Sequence, residues 1–251
     1  MQAIDVVVLT RNSEHILAKC IASIYENVPV NNLIVVDGFS TDSTLKILNE
    51  INKRHGNIRV LRVSGSRAKA REEAVRQVKT DWFVFIDSDV ILSKDWFKKA
   101  EKSIKPDVGA VWGLNIDVIP NVRDKRFIKL QSLIARQCFN LRVGTHDTLI
   151  RREAVDGIEI PEQLHAYEDA FIIKWVKKKG YKTVVGDDVY CLHFKPPTNW
   201  SLENAVSQAI LEFKCGIVFS HMFLYAIYYP FFMFYWFLQL SLQGVRSYLP
   251  P

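Results

Sequence analysis

The segment Trp82–Val90, WFVFIDSDV, constrains what this chain can fold into more than any other stretch. An unbroken apolar run from Trp82 to Ile86 stops abruptly at Asp87-Ser88-Asp89. A run that short, rich in aromatic and β-branched side chains, reads as a strand buried on both faces. Strands of that kind belong to α/β sheets, which bind ligands just beyond the strands' carboxyl ends. Two carboxylates spaced i, i+2 about a small residue suit one hard divalent cation, and that cation in turn suits a diphosphate. A solitary D-x-D is equally an ordinary solvated turn, so its meaning depends on its company.

The first two-thirds of the chain alternate strand and helix. Val6–Leu9 predicts a strand, followed by a helix with Ile16, Leu17, Cys20, Ile21 and Ile24 on one face, capped by Asn12 or Ser13. Leu33–Val36 is the next strand, and Ser40 or Thr41 caps a helix carrying Leu45, Leu48 and Ile51. Ile58–Val63, a basic helix from about Arg67 to Val78, and the Trp82 strand complete the pattern. Such alternation predicts an α/β fold with a mostly parallel sheet flanked by helices. Beyond Pro106 come a strand near Val108–Leu114, a basic helix within Val122–Leu141, a helix after Glu168-Asp169, and strands at Lys182–Val185 and Val189–His193.

With 49% hydrophobic and 24% charged residues, 251 residues suffice for one domain of ordinary size with an appendage. Cys20, Cys138, Cys191 and Cys215 lie far apart and read as buried thiols, neither a disulfide framework nor a zinc site. The opening MQAIDVVVLTRN lacks a basic n-region, so no signal peptide is expected. Between Cys215 and Gly244 there is no Asp, Glu, Lys or Arg. At about 1.5 Å per helical residue that stretch is long enough for a hydrocarbon core of roughly 30 Å, and Pro230 would kink or turn it. It is expected to contact membrane lipids, with a buried core helix or a homo-oligomer interface as the alternatives. The division expected is therefore residues 1–214 as the catalytic domain and 215–251 as a membrane-anchoring or interfacial helical segment. Nucleic acid is not an expected partner, because no stacking platform accompanies the basic residues.

Three expected strands end in polar residues on one rim: Thr10-Arg11-Asn12, Asp37-Gly38 and Asp87-Ser88-Asp89. Asp37 there suits hydrogen bonds from a base or ribose, although a turn before Gly38 explains it equally. Arg71 offers a guanidinium fork to a base or diphosphate, or is simply a surface charge. His193, closing a late strand, either completes a metal shell, touches a diphosphate or is structural. No G-x-G-x-x-G follows the first strand and no P-loop appears, which argues against a dinucleotide dehydrogenase and a P-loop NTPase.

In order and spacing, VVVLTRNSE, IVVDGFSTDST, RAKAREEAV, WFVFIDSDV and AYEDAFIIKW resemble the family 2 glycosyltransferases of GT-A (Rossmann-like) fold, from about Ile4 to His193. The resemblance implies an inverting transferase with a nucleotide-sugar donor and a divalent metal, Mn²⁺ or Mg²⁺, held by Asp87 and Asp89, with His193 beside them. It implies that Thr10, Arg11, Asn12, Asp37, Arg71, Asp87 and Ser88 line the donor site. Glu168-Asp169 matches the family's acidic pair, with Asp169 as general base and Glu168 as the alternative. Departures are plain: Asp37-Gly38 replaces an acidic pair, Ala70-Arg71-Glu72-Glu73-Ala74 loses an Asn and a Gly, and Lys174-Trp175 stands for Arg-Trp. The expected reaction moves a sugar from a UDP- or GDP-sugar to a hydroxyl acceptor, lipid-linked, at the cytoplasmic face of the cell membrane. A polyprenyl-phosphate acceptor, or a sugar-phosphate nucleotidyltransferase, are the alternatives.

Overall fold

A computed structural model describes residues 2–118, 145–164 and 167–194, together with 206, 207 and 210. The basic helix expected within Val122–Leu141, the apolar segment 215–251, Cys138 and Cys215 lie outside the described residues. Among those described, no helix is long and apolar enough to cross a membrane.

The first half follows the alternation: β1 (Ile4–Thr10), α1 (Leu17–Asn27), β2 (Val30–Asp37), α2 (Thr44–His55), β3 (Ile58–Arg62), α3 (Arg67–Gln77) and β4 (Trp82–Asp87). Then come β5 (Val90–Leu92), α4 (Trp96–Ala100), β6 (Val108–Asp117), β7 (Asp147–Arg151), α5 (Glu168–Lys178) and β8 (Lys182–His193). They make an eight-stranded sheet in the order β3-β2-β1-β4-β7-β6-β8-β5. From β3 to β4 every pairing is parallel. β7 is then inserted antiparallel between β4 and β6, β6 and β8 run parallel, and β5 closes the edge antiparallel to β8. The sheet is thus mixed, but six of its eight strands run the same way, as the mostly parallel expectation has it, with β7 and β5 reversed. β7 and β5 are five and three residues long, too short for their own periodicity to announce them.

Two apolar clusters cover the sheet. One joins Leu17, Cys20, Ile21 and Ile24 of α1 to Val6, Val8, Val84 and Ile86. The other packs Ala68 and Ala74 of α3, and Ile172, Ile173 and Val176 of α5, against Val7, Phe83, Phe85 and Ile150. Cys20 and Cys191 are buried thiols outside any disulfide, as their spacing implied.

Local details differ from expectation. The α1 cap assigned to Asn12 or Ser13 is displaced: the helix starts at Leu17 without a side-chain cap, and the Ser13 carbonyl accepts from Ile16 and Leu17. Ser40 and Thr41 do not cap α2 either. Their amides are taken by Asp37 and Asn12, while Asp42 accepts from the Thr44 amide. The two late strands are one, β8, whose register against β6 slips between Trp112 and Leu114 so that Gly186–Val189 bulges out. At Gly186 an added Cβ would lie 2.4 Å from the Val189 side chain, so only glycine fits inside that bulge.

Candidate functional site

In register, Thr10 faces Asp37 across β1 and β2, Leu9 faces Asp87 across β1 and β4, and Asp37 faces Arg62 across β2 and β3. The polar strand ends of the first half therefore share one rim, as a parallel ladder requires. Asn12, at φ +52°, receives the Thr41 amide and donates its own to Ser40, knitting the two rim loops together. The Ser13 and Ser88 hydroxyls meet at 2.8 Å, so Ser88 fastens the D-x-D turn to the β1 loop. Arg11 is exposed, its side chain lying against Gly38, where an added Cβ would approach it to 3.4 Å. Asp37 is fully buried, accepts from the Ser40 amide and pairs with Arg62 at 3.5 Å.

The carboxylates of β4 are held from both sides. Arg71, 3% exposed, gives Nη2 to Asp87 Oδ1 at 3.2 Å and Nε to Glu168 Oε1 at 3.3 Å. Burial alone would lower the guanidinium's affinity for its proton, but Asp87, Glu168 and Asp169 more than offset it and raise the pKa. The other Asp87 oxygen lies 2.6 Å from His146 Nδ1. Burial would push Asp87 up, yet His146, Arg71 and His193 outweigh it and hold the carboxyl well below the usual range. Asp89 Oδ1 lies 3.2 Å from His193 Nε2, and the two imidazole rings stand 4.9 Å apart. The site is thus a ring of two aspartates, two histidines, Arg71 and Glu168, with Asp169 next in sequence and half-buried at the start of α5.

His146 and Asn115 escaped the sequence reading. Each reaches the site through the second half of the sheet: His146 precedes β7, which lies antiparallel to β4, and Asn115 pairs with Cys191 across β6 and β8. A polar Thr-His-Asp turn opening an apolar run, Thr145–Ile150, was the available signal, the mirror of WFVFIDSDV in an antiparallel neighbour.

Asp147 is the other unexpected carboxyl. It is buried among apolar strands, accepts from the Trp96 indole at 2.8 Å, and lies where a Cβ on Gly113 would come within 1.9 Å of Oδ2. Burial pushes its pKa up to about 7, against hydrogen bonds from Trp96 and Cys191 that favour the charged form. Unfolded, it titrates near ~3.9. The folded state keeps the extra proton between those values, so this contribution is whole below about pH 4 and is lost as pH rises to 7. Denaturant unfolding at pH 5.5 and 8 should show the part of that loss lying between them, about 2 kcal/mol, and Asp147→Asn should flatten it.

Comparison with known proteins places this geometry. Among curated relatives, the poly(ribitol-phosphate) β-N-acetylglucosaminyltransferase TarS of Staphylococcus aureus is 28% identical over 206 residues, 76% of this chain and 35% of its own. The teichoic acid poly(glycerol phosphate) polymerase of Staphylococcus epidermidis is 32% identical over 189 residues, 70% of this chain and 26% of its own. The chain spans a fifth to about a third of the length of the curated relatives it matches. Among solved structures, the Pyrobaculum calidifontis mannosyltransferase PcManGT in complex with GDP-Man and Mn²⁺ superposes with a TM-score of 0.66 at 20% identity, covering 100% of this chain and 79% of that one. The S. aureus TarS fragment 1–349 gives 0.60 at 22%, covering 84% and 65%. Both show the GT-A fold. The model of glycosyl transferase family 2 matches residues 5–156, more than half of the sequence, and the chain belongs to that family.

Proposed function

We propose that this chain is an inverting, metal-dependent glycosyltransferase that moves a sugar from a UDP- or GDP-sugar to a hydroxyl acceptor. The observation that carries it is the convergence of Asp87, Asp89 and His193 with Arg71 and Glu168-Asp169 at one sheet rim. The relatives support the donor class: TarS has been solved with UDP-GlcNAc and PcManGT with GDP-Man and Mn²⁺.

The donor set fits Mn²⁺ or Mg²⁺. Asp89 Oδ1 and His193 Nε2 stand 3.2 Å apart, a carboxylate oxygen and an imidazole nitrogen that could both hold such a cation. Among the described residues no group of three or more His, Cys, Asp or Glu is placed to hold a metal ion. His193 Nδ1 stands 3.2 Å from Asn115 Nδ2, while Asn115 Oδ1 is buried without a partner among the described residues. Turning that amide over presents Oδ1 to Nδ1–H and leaves the Nε2 lone pair for a metal. Once bound, the cation stabilises the negative charge that builds on the departing diphosphate.

The chain's own residues do the rest. Arg71 and His146 engage both Asp87 oxygens and hold that carboxylate still, while Asp89 Oδ1 and His193 Nε2 face each other beside it. Glu168 is committed to Arg71. Asp169, half-buried beside it, is the carboxylate placed to take the acceptor's proton. The acceptor oxygen bonds to the anomeric carbon as the bond to the diphosphate breaks on the opposite face, inverting that centre.

We read the apolar residues 215–251 as a membrane-contacting appendage to the catalytic residues 1–214, which favours a lipid-linked acceptor, placed in this reading at the cytoplasmic membrane face. Screening UDP- and GDP-sugars with Mn²⁺ or Mg²⁺ tests the proposal. Release of UDP or GDP is expected, abolished by EDTA and lowered at least ~100-fold in Asp89→Ala. Pyrophosphate as product, or turnover indifferent to EDTA, overturns it.

A further inference from the structure

Immediately after β2 the chain does something costly. Phe39 adopts φ +60°, the left-handed region that a bulky side chain enters only under strain. That strain leaves its ring 47% exposed, two residues beyond Asp37 on the donor rim. Arg62, at the end of β3, lays its guanidinium over the ring, 4.4 Å from the centroid. The same side chain gives Nε to Asp37 Oδ2 at 3.5 Å, and Asp37 is wholly covered. Beside it the Thr10 hydroxyl is buried and has no partner among the described residues. Two groups suited to a nucleoside are therefore shut in, and a planar pair, Phe39 and Arg62, lies over the entrance.

We propose that Phe39 is the platform on which the donor's nucleobase stacks, the base taking the ring face that Arg62 covers and uncovering Asp37. Every base offers a π-face, and stacking on an aromatic side chain replaces the cation–π contact it displaces. Arg62 is half-exposed, with room to swing into solvent. Once it does, the Asp37 carboxylate faces a base or ribose donor and the Thr10 hydroxyl gains a neighbour. This inference rests on the reading that the rim binds a nucleotide sugar.

Calorimetric titration of UDP and GDP with Mn²⁺ into the full chain tests it. Phe39→Gly removes the ring and relieves the positive φ, so it should melt no lower than the parent. It should bind the preferred nucleotide about tenfold more weakly. Phe39→Trp should hold within about threefold of the parent, since the stacking face survives. Arg62→Ala, spared the opening step, should bind a few-fold tighter. Unchanged affinity in Phe39→Gly, or weaker binding in Arg62→Ala, overturns the platform while leaving the donor reading intact. A parent chain that binds neither nucleotide overturns the donor reading and the platform together.

Discussion

Replacing Arg71 with leucine should unfold the donor side of this protein at a temperature about 10 °C below the parent. The guanidinium is 4% exposed and holds two carboxylates, one of them the equally buried Glu168. Removing one partner of a buried ion pair leaves the other charged and unsolvated, at a cost of about 3–5 kcal/mol. For a chain of this size each kcal/mol moves the midpoint by roughly 2–4 °C. Arg71→Lys should fall between, because a single ammonium lacks the fork that reaches Asp87 and Glu168 together. A thermal melt settles it: a loss in the leucine variant below about 1 kcal/mol would mean the pairs behave as solvated surface contacts. Turnover should drop with it, since Asp87 then keeps only His146.

The second large effect concerns Asp169. Asp169→Asn is isosteric and cannot accept the acceptor's proton, so kcat should fall by about 10²–10⁴. Nucleotide affinity should stay within twofold, because Thr10, Asp37, Asp87 and Asp89, which hold the donor in this reading, keep their side chains. Glu168→Gln is the control. It weakens the pair with Arg71 and should register first as lost stability. If instead Glu168→Gln silenced turnover at an unchanged melting temperature while Asp169→Asn stayed active, the two carboxylates would exchange roles.

What could be read from the residues alone follows a physical divide. Parallel strands buried on both faces announce themselves as apolar runs, so β1, β2 and β4 and their polar ends were legible within a few residues. The second half was not, because its strands gain identity only from neighbours. β7 is five residues beginning with a buried carboxyl, and β5 is three. Helix starts were misread for a related reason: Asn12, Ser13, Ser40 and Thr41 spend their hydrogen bonds tying rim loops together rather than capping. The aspartates of WFVFIDSDV were visible and His193, 104 positions beyond Asp89, was named with them, but His146, 59 positions beyond Asp87 and brought in by an antiparallel insertion, was not.

That insertion has a kinetic consequence. Pairing of β1 with β2 and of β2 with β3 spans 25 to 27 positions and can close early, whereas β4 meets β7 across 61 to 69, β1 meets β4 across 78, and β5 meets β8 across 99 to 103. Asp87 acquires His146 only through β7, and Asp89 acquires His193 only through β8. Refolding should therefore recover the tryptophan signal of the β4 region before it recovers nucleotide binding, so competence arrives last, when the chain's most distant partners have met.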